Sequence, residues 1–479
     1  MMVASEEIES RLLPRSGSDT EYATLMDDLA LAAPAMTAAL TSLVGLPSWC
    51  QESTGRPPFG LAIDTALDEA LQLAAGLGLR TYRDPQGYYG WAELGEGDEL
   101  LGLLGHVDML PLVGQQAWFS DPLNLVCRHG VFYGAGCQQG KGPLVAALHA
   151  LGALQSAGEP LHHRVRLIIG TDAASGQWRC MARYRAEQEI PHLTLALTGE
   201  HTLVMSEKRL VQGYLQGPPA ENLEIECDNP LTRVPDRASY RGPQQRKLMR
   251  QLDALGYPWL QQDGQIIVLG QSAPAAQCGQ RGINAIVRLC RALSLIGYRH
   301  PALGFCSLVV GDDPHVRALV GDIRDEQGRM TLNLASLRID SSSSQLGVDI
   351  RIPVGVSHEL FRQQLRTSLA RLGWHYEELR HEEPLQWAQD APILTLLAQS
   401  ASAVCGEPCQ PRPSAEVSYA RALPATIPFG AAFADQPDSR GQANEHLSAE
   451  ALQRMACLYA DAVLRLQTVS LRTVLGLDR

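Results

Sequence analysis

Two segments decide the fold: LGLLGHVDMLP (101–111) and GVFYGAGCQQGKGPLVAALHALGAL (130–154). An apolar run of Leu101, Leu103 and Leu104 ends at Gly105 and delivers His106 and Asp108, two residues apart. On an extended chain that spacing points both side chains to one side. A second short strand over 131–133 runs into a glycine-rich turn, and an Ala/Leu helix is predicted over 143–156. Strand, polar loop, strand, glycine loop and buried helix make an α/β unit whose strand ends present polar groups to a crevice.

Working outward, residues 21–44 and 62–79 have helical spacing, with Asp64 and Asp68 toward the N-terminal end of the second helix. GYYGWAEL (87–94), RVRLIIG (164–170) and HLTLALTGE (192–200) read as strands, the last ending at Glu200. From about residue 210 the texture changes. GQIIVLG (264–270) reads as an edge-type strand, with helices over 282–296 and 358–372 and a strand pair around 330–333 and 347–352. Near 385 the Ala/Leu texture returns, with a helix over 392–404, the strand TIPFGAAF (426–433) and a C-terminal helix from Ala449. The expected architecture is a discontinuous α/β domain (1–209 and 385–479) with a largely parallel sheet, and an inserted α+β domain (210–384).

Hydrophobic content of 45% with 19% charged residues belongs to a globular protein. The 40 Lys and Arg against 52 Asp and Glu give a net charge of −12, which disfavours nucleic acid or an anionic membrane surface as partner. The N-terminal 19 residues are acidic where an export signal needs a basic start, so a cytoplasmic protein is expected. The eleven cysteines form no CxxC pairs; they read as reduced thiols, and no structural zinc site is expected from them.

The glycine loop nearly matches a phosphate-binding loop (Ala135, four residues, Gly140-Lys141-Gly142), but Gly142 stands where a magnesium-holding hydroxyl belongs. A tight turn with a helix start explains it better. His106 with Asp108 suits a metal ligand or a general base oriented by a carboxylate, although such a pair is more often structural.

These motifs, taken in order, resemble the co-catalytic di-zinc metallopeptidases that include aminoacylase, carnosinase and peptidase V-type bacterial dipeptidases. GYYGWAELGEGDELLGLLGHVDMLP (87–111) is similar to that family's entry segment. VFYGAGCQQGKGP (131–143) stands where the family has YGRGxxDDKGP. RLIIGTDAASGQWRCMARY (166–184), TGEHTLVMSEK (198–208), GQSAPAAQCGQRGINAI (270–286), VDIRIPVG (348–355), SYARALP (418–424) and GQANEHLS (441–448) follow in the family's order. The resemblance implies an inserted lid domain and two zinc ions bridged by a carboxylate and a nucleophilic water. It also places the ligands. His106 keeps a zinc-ligand position and Asp108 its orienting partner, while Glu200 stands at an aspartate ligand. The bridging aspartate falls on Gln139, the general base on Ala173, a glutamate ligand on Ala174 and the last histidine ligand on Gly441. The lid histidine falls on Pro274, the lid asparagine near Thr232, and the substrate-binding arginine is kept as Arg351.

Two divalent cations need more anionic oxygen and imidazole than one histidine, one glutamate and a neutral amide supply. The expectation is therefore a dipeptidase-like pseudoenzyme without a cofactor, binding a peptide-like or amino-acid-like ligand or a protein partner. The rival readings are a dipeptidase with one zinc held through His106, Asp108 and Glu200, and an assembly subunit. A cysteine nucleophile at Cys137, ahead of a helix N-terminus, is a further and weaker reading.

Overall fold

In the computed structural model, which describes residues 19–51, 57–112, 117–158, 160–430 and 432–476, the apolar run after Glu99 forms the strand Leu100–His106, buried along its whole length. The acidic segment 1–18 lies outside the described residues. The strand is flanked in parallel by Arg164–Gly170 and Leu193–Ala196, and Thr426–Pro428 extends the parallel set beyond the latter. Tyr89–Leu94 and Arg80–Arg83 add an antiparallel edge on the other side. Strands covered on both faces need apolar side chains at successive positions, which is why LLGLL and VRLIIG do not alternate. The helices Lys141–Ala157 and Ala449–Leu466 pack against each other and are buried over most of their length.

The chain divides into two units. The first comprises the residues up to Met205, Trp387–Arg412 and Ser418–Arg479. The second comprises Ser206–Gln386 and Pro413–Val417. It is built on an eight-stranded antiparallel sheet that runs from Trp259–Gln262 at one edge to His375–Glu382 at the other. Its helix Ala285–Leu295 starts on Asn284, whose side chain accepts the N–H groups of Ile286 and Val287. The hairpin Thr331–Ile339 and Ser344–Ile352 runs at the centre of its apolar core.

Three expectations are corrected. The helix over 21–44 is two helices, Asp19–Leu31 and Ala33–Val44, bent by 49°. Pro34 has no N–H to continue the ladder. No single helix among the described residues is long and apolar enough to cross a membrane; that bent pair is, by length and composition only, and Leu29, Leu40 and Leu43 on it are fully buried. The strand predicted to reach Glu200 stops at Ala196, and Gly199, at φ 141°, turns the chain so that Glu200 sits on a loop. Gln265–Leu269 is an interior strand, flanked by Trp259–Gln262 and Arg237–Arg241.

Truncating the central strand tests how much this sheet carries. Leu103→Ala removes a fully buried side chain and is expected to cost about 2–5 kcal/mol, read as a lower urea midpoint with circular dichroism.

Candidate functional site

The carboxyl ends of the parallel strands bring His106, the loop after Gly170 and the loop after Ala196 to one end of the sheet. His106 is the last residue of its strand and is buried. Its Nδ1 lies 2.9 Å from the Asp108 carbonyl oxygen and 3.2 Å from the Asp108 carboxylate. Both partners accept, so Nδ1 carries the proton and Nε2 is left with its lone pair. The ring rests on bare backbone: a Cβ on Gly140 would stand 2.6 Å from His106 Cε1. Tyr419 packs edge-on against the same ring at 5.7 Å, and its hydroxyl, 3.1 Å from Cys180 Sγ, fills the space a side chain on Gly170 would need.

Asp108 orients more than the imidazole. Its carboxylate accepts the backbone N–H groups of Ala173 at 3.1 Å and Ala174 at 2.7 Å. The two alanines are thus tied to Asp108 through their backbones, and their methyl groups offer no ligand or base. Neighbouring Asp172 is engaged by the Arg179 guanidinium at 2.8 Å.

The glycine loop is held by a residue from the far end of the sequence. Pairing of His446–Ser448 with Val131–Tyr133 brings Glu445 under the loop. Its fully buried carboxylate accepts N–H groups from Gly136 (3.0 Å), Gln138 (2.9 Å), Gln139 (2.8 Å) and Gly441 (3.3 Å). A ring of backbone N–H groups is an anion site, and here the protein's own carboxylate occupies it, which explains the near match to a phosphate loop. Gly142 is required there because a Cβ would strike the Cys137 carbonyl oxygen at 2.1 Å. Burial pushes the Glu445 carboxyl up, against the four N–H donors that lower it. Lys141, also buried, is pushed down to about 7 by desolvation, with Glu445 and Asp108 opposing; its ammonium donates to the Leu46 carbonyl oxygen at 2.8 Å. The Cys137 thiol is buried and driven upward by desolvation and by Glu445, so it is held protonated and does not suit a nucleophile.

Gln139 and Gly441 face each other: a Cβ on Gly441 would lie 3.4 Å from Gln139 Oε1. They line a cavity of about 30 Å³ with Met109, Trp118 and Gln442, room for roughly one water. Glu200 shares its loop with His201, which burial pushes down, Glu200 opposing and the Arg412 and Arg440 guanidiniums adding to the fall. Two guanidiniums thus lie near the residue that follows Glu200. Among the described residues, neither His106 nor Glu200 belongs to a group of three potential ligands whose donor atoms lie within 4.8 Å of one another.

In the second unit, Arg351 is buried and forms a forked pair with Asp349 at 2.7 and 3.1 Å, while Nη1 donates to the Ala415 carbonyl oxygen at 3.3 Å. Three of its five N–H donors are therefore used within the protein. Pro274 pairs with Arg233, next to Thr232, whose carbonyl oxygen accepts the Ala275 N–H. Sequence reasoning missed Glu445, Lys141 and Tyr419 as parts of the site. Glu445 and Tyr419 were visible only as flanking letters of motifs.

A profile of Peptidase family M20/M25/M40 matches residues 102–465, most of the chain. The chain belongs to that family. It is 30% identical over 442 residues to "Putative dipeptidase YtjP" of Bacillus subtilis (strain 168), covering 87% of this chain and 93% of that protein. Its fold is similar to human carnosine dipeptidase 1, with a TM-score of 0.60 at 14% identity, covering 95% of this chain and all of that one. It is also similar to the metallo-carboxypeptidase Sso-CP2 from Sulfolobus solfataricus, with a TM-score of 0.56 at 15% identity, covering 91% and 99%.

Two measurements test the buried ion system. Glu445→Ala leaves Lys141 and the loop N–H groups without their carboxylate, and is expected to destabilise the protein by about 3–5 kcal/mol in denaturant unfolding. Burial holds the Lys141 ammonium's pKa at about 7 in the folded chain, below its ordinary 10.5. Between those values the unfolded chain holds the extra proton, so stability relative to Lys141→Met should rise with pH, by at most about 1.4 kcal/mol per unit. A flat difference across that window would remove Lys141 from the account.

Proposed function

We propose that this member of the family is a dipeptidase-like pseudoenzyme. It binds a peptide-like or amino-acid-like ligand, or a protein partner, without zinc-dependent hydrolysis. One observation carries the reading: the buried carboxylates of Asp108 and Glu445 at the strand-end site are both spent on backbone N–H groups. Around them stand Gln139, Ala173, Ala174 and Gly441. That donor set does not fit a pair of zinc ions, which takes about three protein ligands per catalytic ion. An alanine in place of the base costs on the order of 10²–10⁴ in rate.

What remains suits recognition. The strand-end crevice keeps an imidazole with its Nε2 lone pair available, the Gln139 amide and the Glu200 carboxylate. These are groups that hydrogen-bond an amide or an ammonium. Arg351, the carboxylate-binding arginine of the resemblance, has two N–H donors without a partner among the described residues, but its charge is balanced by Asp349.

A second reading rests on the His106 tautomer. An imidazole whose Nδ1–H is held by a carboxylate is also the geometry of a metal ligand, so one zinc held by His106, Asp108 and Glu200 would make a single-metal dipeptidase. Dipeptide cleavage with and without added zinc separates the two. The pseudoenzyme reading expects no chelator-sensitive cleavage and a thermal shift with some dipeptides or amino acids. Chelator-sensitive cleavage that disappears in His106→Ala would establish the enzyme instead.

A further inference from the structure

The second unit carries a cluster that neither the motifs nor the proposed function uses. His358, Glu378 and His381 have ligand atoms that all lie within 4.8 Å of one another. His358 opens the helix His358–Arg371, and Glu378 and His381 lie on the edge strand His375–Glu382. His358 Nε2 is 3.2 Å from Glu378 Oε2, and the two imidazoles stack at 3.8 Å with 18° between their planes.

Residues three apart on a regular strand face opposite sides. Glu378 and His381 converge because the strand is bulged: Glu378 pairs with Gly213 and Arg380 with Gln212, so Leu379 is the extra residue and is turned out to solvent. The bulge resets the alternation and aims His381 to the side of Glu378 and His358. Bulges re-aim side chains in this way beside functional sites.

A second observation points to a ligand. His381 Nε2 is buried and has no hydrogen-bond partner among the described residues. It lies 3.3 Å from Glu383 Oε1, outside hydrogen-bonding geometry. A buried, unsatisfied imidazole nitrogen is destabilising unless something accepts its lone pair or proton.

We infer that His358, Glu378 and His381 form a binding site for one divalent transition cation of borderline softness, such as Zn²⁺. Two imidazoles and a carboxylate are the donor set that such ions take, with one position left for water or Glu383. Tetrahedral zinc separates its ligand atoms by roughly 3.3 Å, and the His358–Glu378 pair is already at 3.2 Å. His381 has to turn out of its stack on His358 to aim its lone pair at the same point, because near-parallel rings hold their lone pairs in separate planes. Glu383 is held by Arg209 at 2.8 Å, and that guanidinium limits the affinity. The bound ion would clasp the edge strand of the sheet to the helix beside it. This site is independent of the strand-end site of the first unit.

The test is titration of the chelator-treated, dialysed full chain with Zn²⁺ by calorimetry, and with Co²⁺ by its visible ligand-field absorption. Wild type and His106→Ala should each show the site, with a thermal shift upward. His381→Ala and Glu378→Gln should weaken it by at least about tenfold, with circular dichroism confirming that both fold. If His381→Ala does not fold, Glu378→Gln and His358→Asn decide. Absence of binding in the wild type, or binding that survives in the folded cluster variants, or binding lost only in His106→Ala, overturns the assignment.

Discussion

A single buried carboxylate organises the strand-end site. Glu445 accepts the N–H groups of Gly136, Gln138 and Gln139 on one loop and Gly441 on another. Two segments about 300 residues apart in sequence are thereby fixed to one another. Burying a carboxylate is costly, and the cost is met only because several N–H donors and a buried ammonium surround it. The same dependence runs the other way: loop N–H groups aimed at one point in the interior need an acceptor there. Lys141 then links this system to Leu46 at the end of the helix Ala33–Val44.

Asp108 repeats the device on the other side of His106. Its two oxygens hold the backbone of the loop at Ala173 and Ala174 and fix the imidazole tautomer. The backbone around His106 is thus held firmly while the side chains beside it are small. Gly140 leaves room for the His106 ring, Gly170 leaves room for Tyr419, and Gly441 leaves room beside Gln139. A catalytic metal pair draws its charge balance from anionic and imidazole side chains. Here the charges present are already matched inside the protein, to N–H groups, to Lys141 and to arginines.

The second unit shows the same economy with Arg351, whose fork closes on Asp349 on its own strand. It departs from it at the edge strand, where the bulge at Leu379 gathers two histidines and a glutamate without matching them fully. The contrast separates a satisfied polar network, which stabilises and is quiet, from one with an unmet group, which invites a ligand.

Much of this was legible in the letters. The continuous apolar run before His106, the glycine loop and the Ala/Leu helix follow from local periodicity, and local periodicity survives folding because each strand or helix chooses its own period. The alanines at 173 and 174 and the glycine at 441 were equally plain, since the absence of a functional group needs no structure to establish. Three things were decided only by the tertiary fold. Glu445 became the centre of the site through strand pairing across the length of the chain, and no window of sequence contains that pairing. Glu200 moved from a strand end to a loop because Gly199 takes a positive φ, a choice the surrounding contacts make. His381 joined Glu378 because one extra residue reversed the strand's alternation, and strand register is a property of the partner strand as much as of the strand itself.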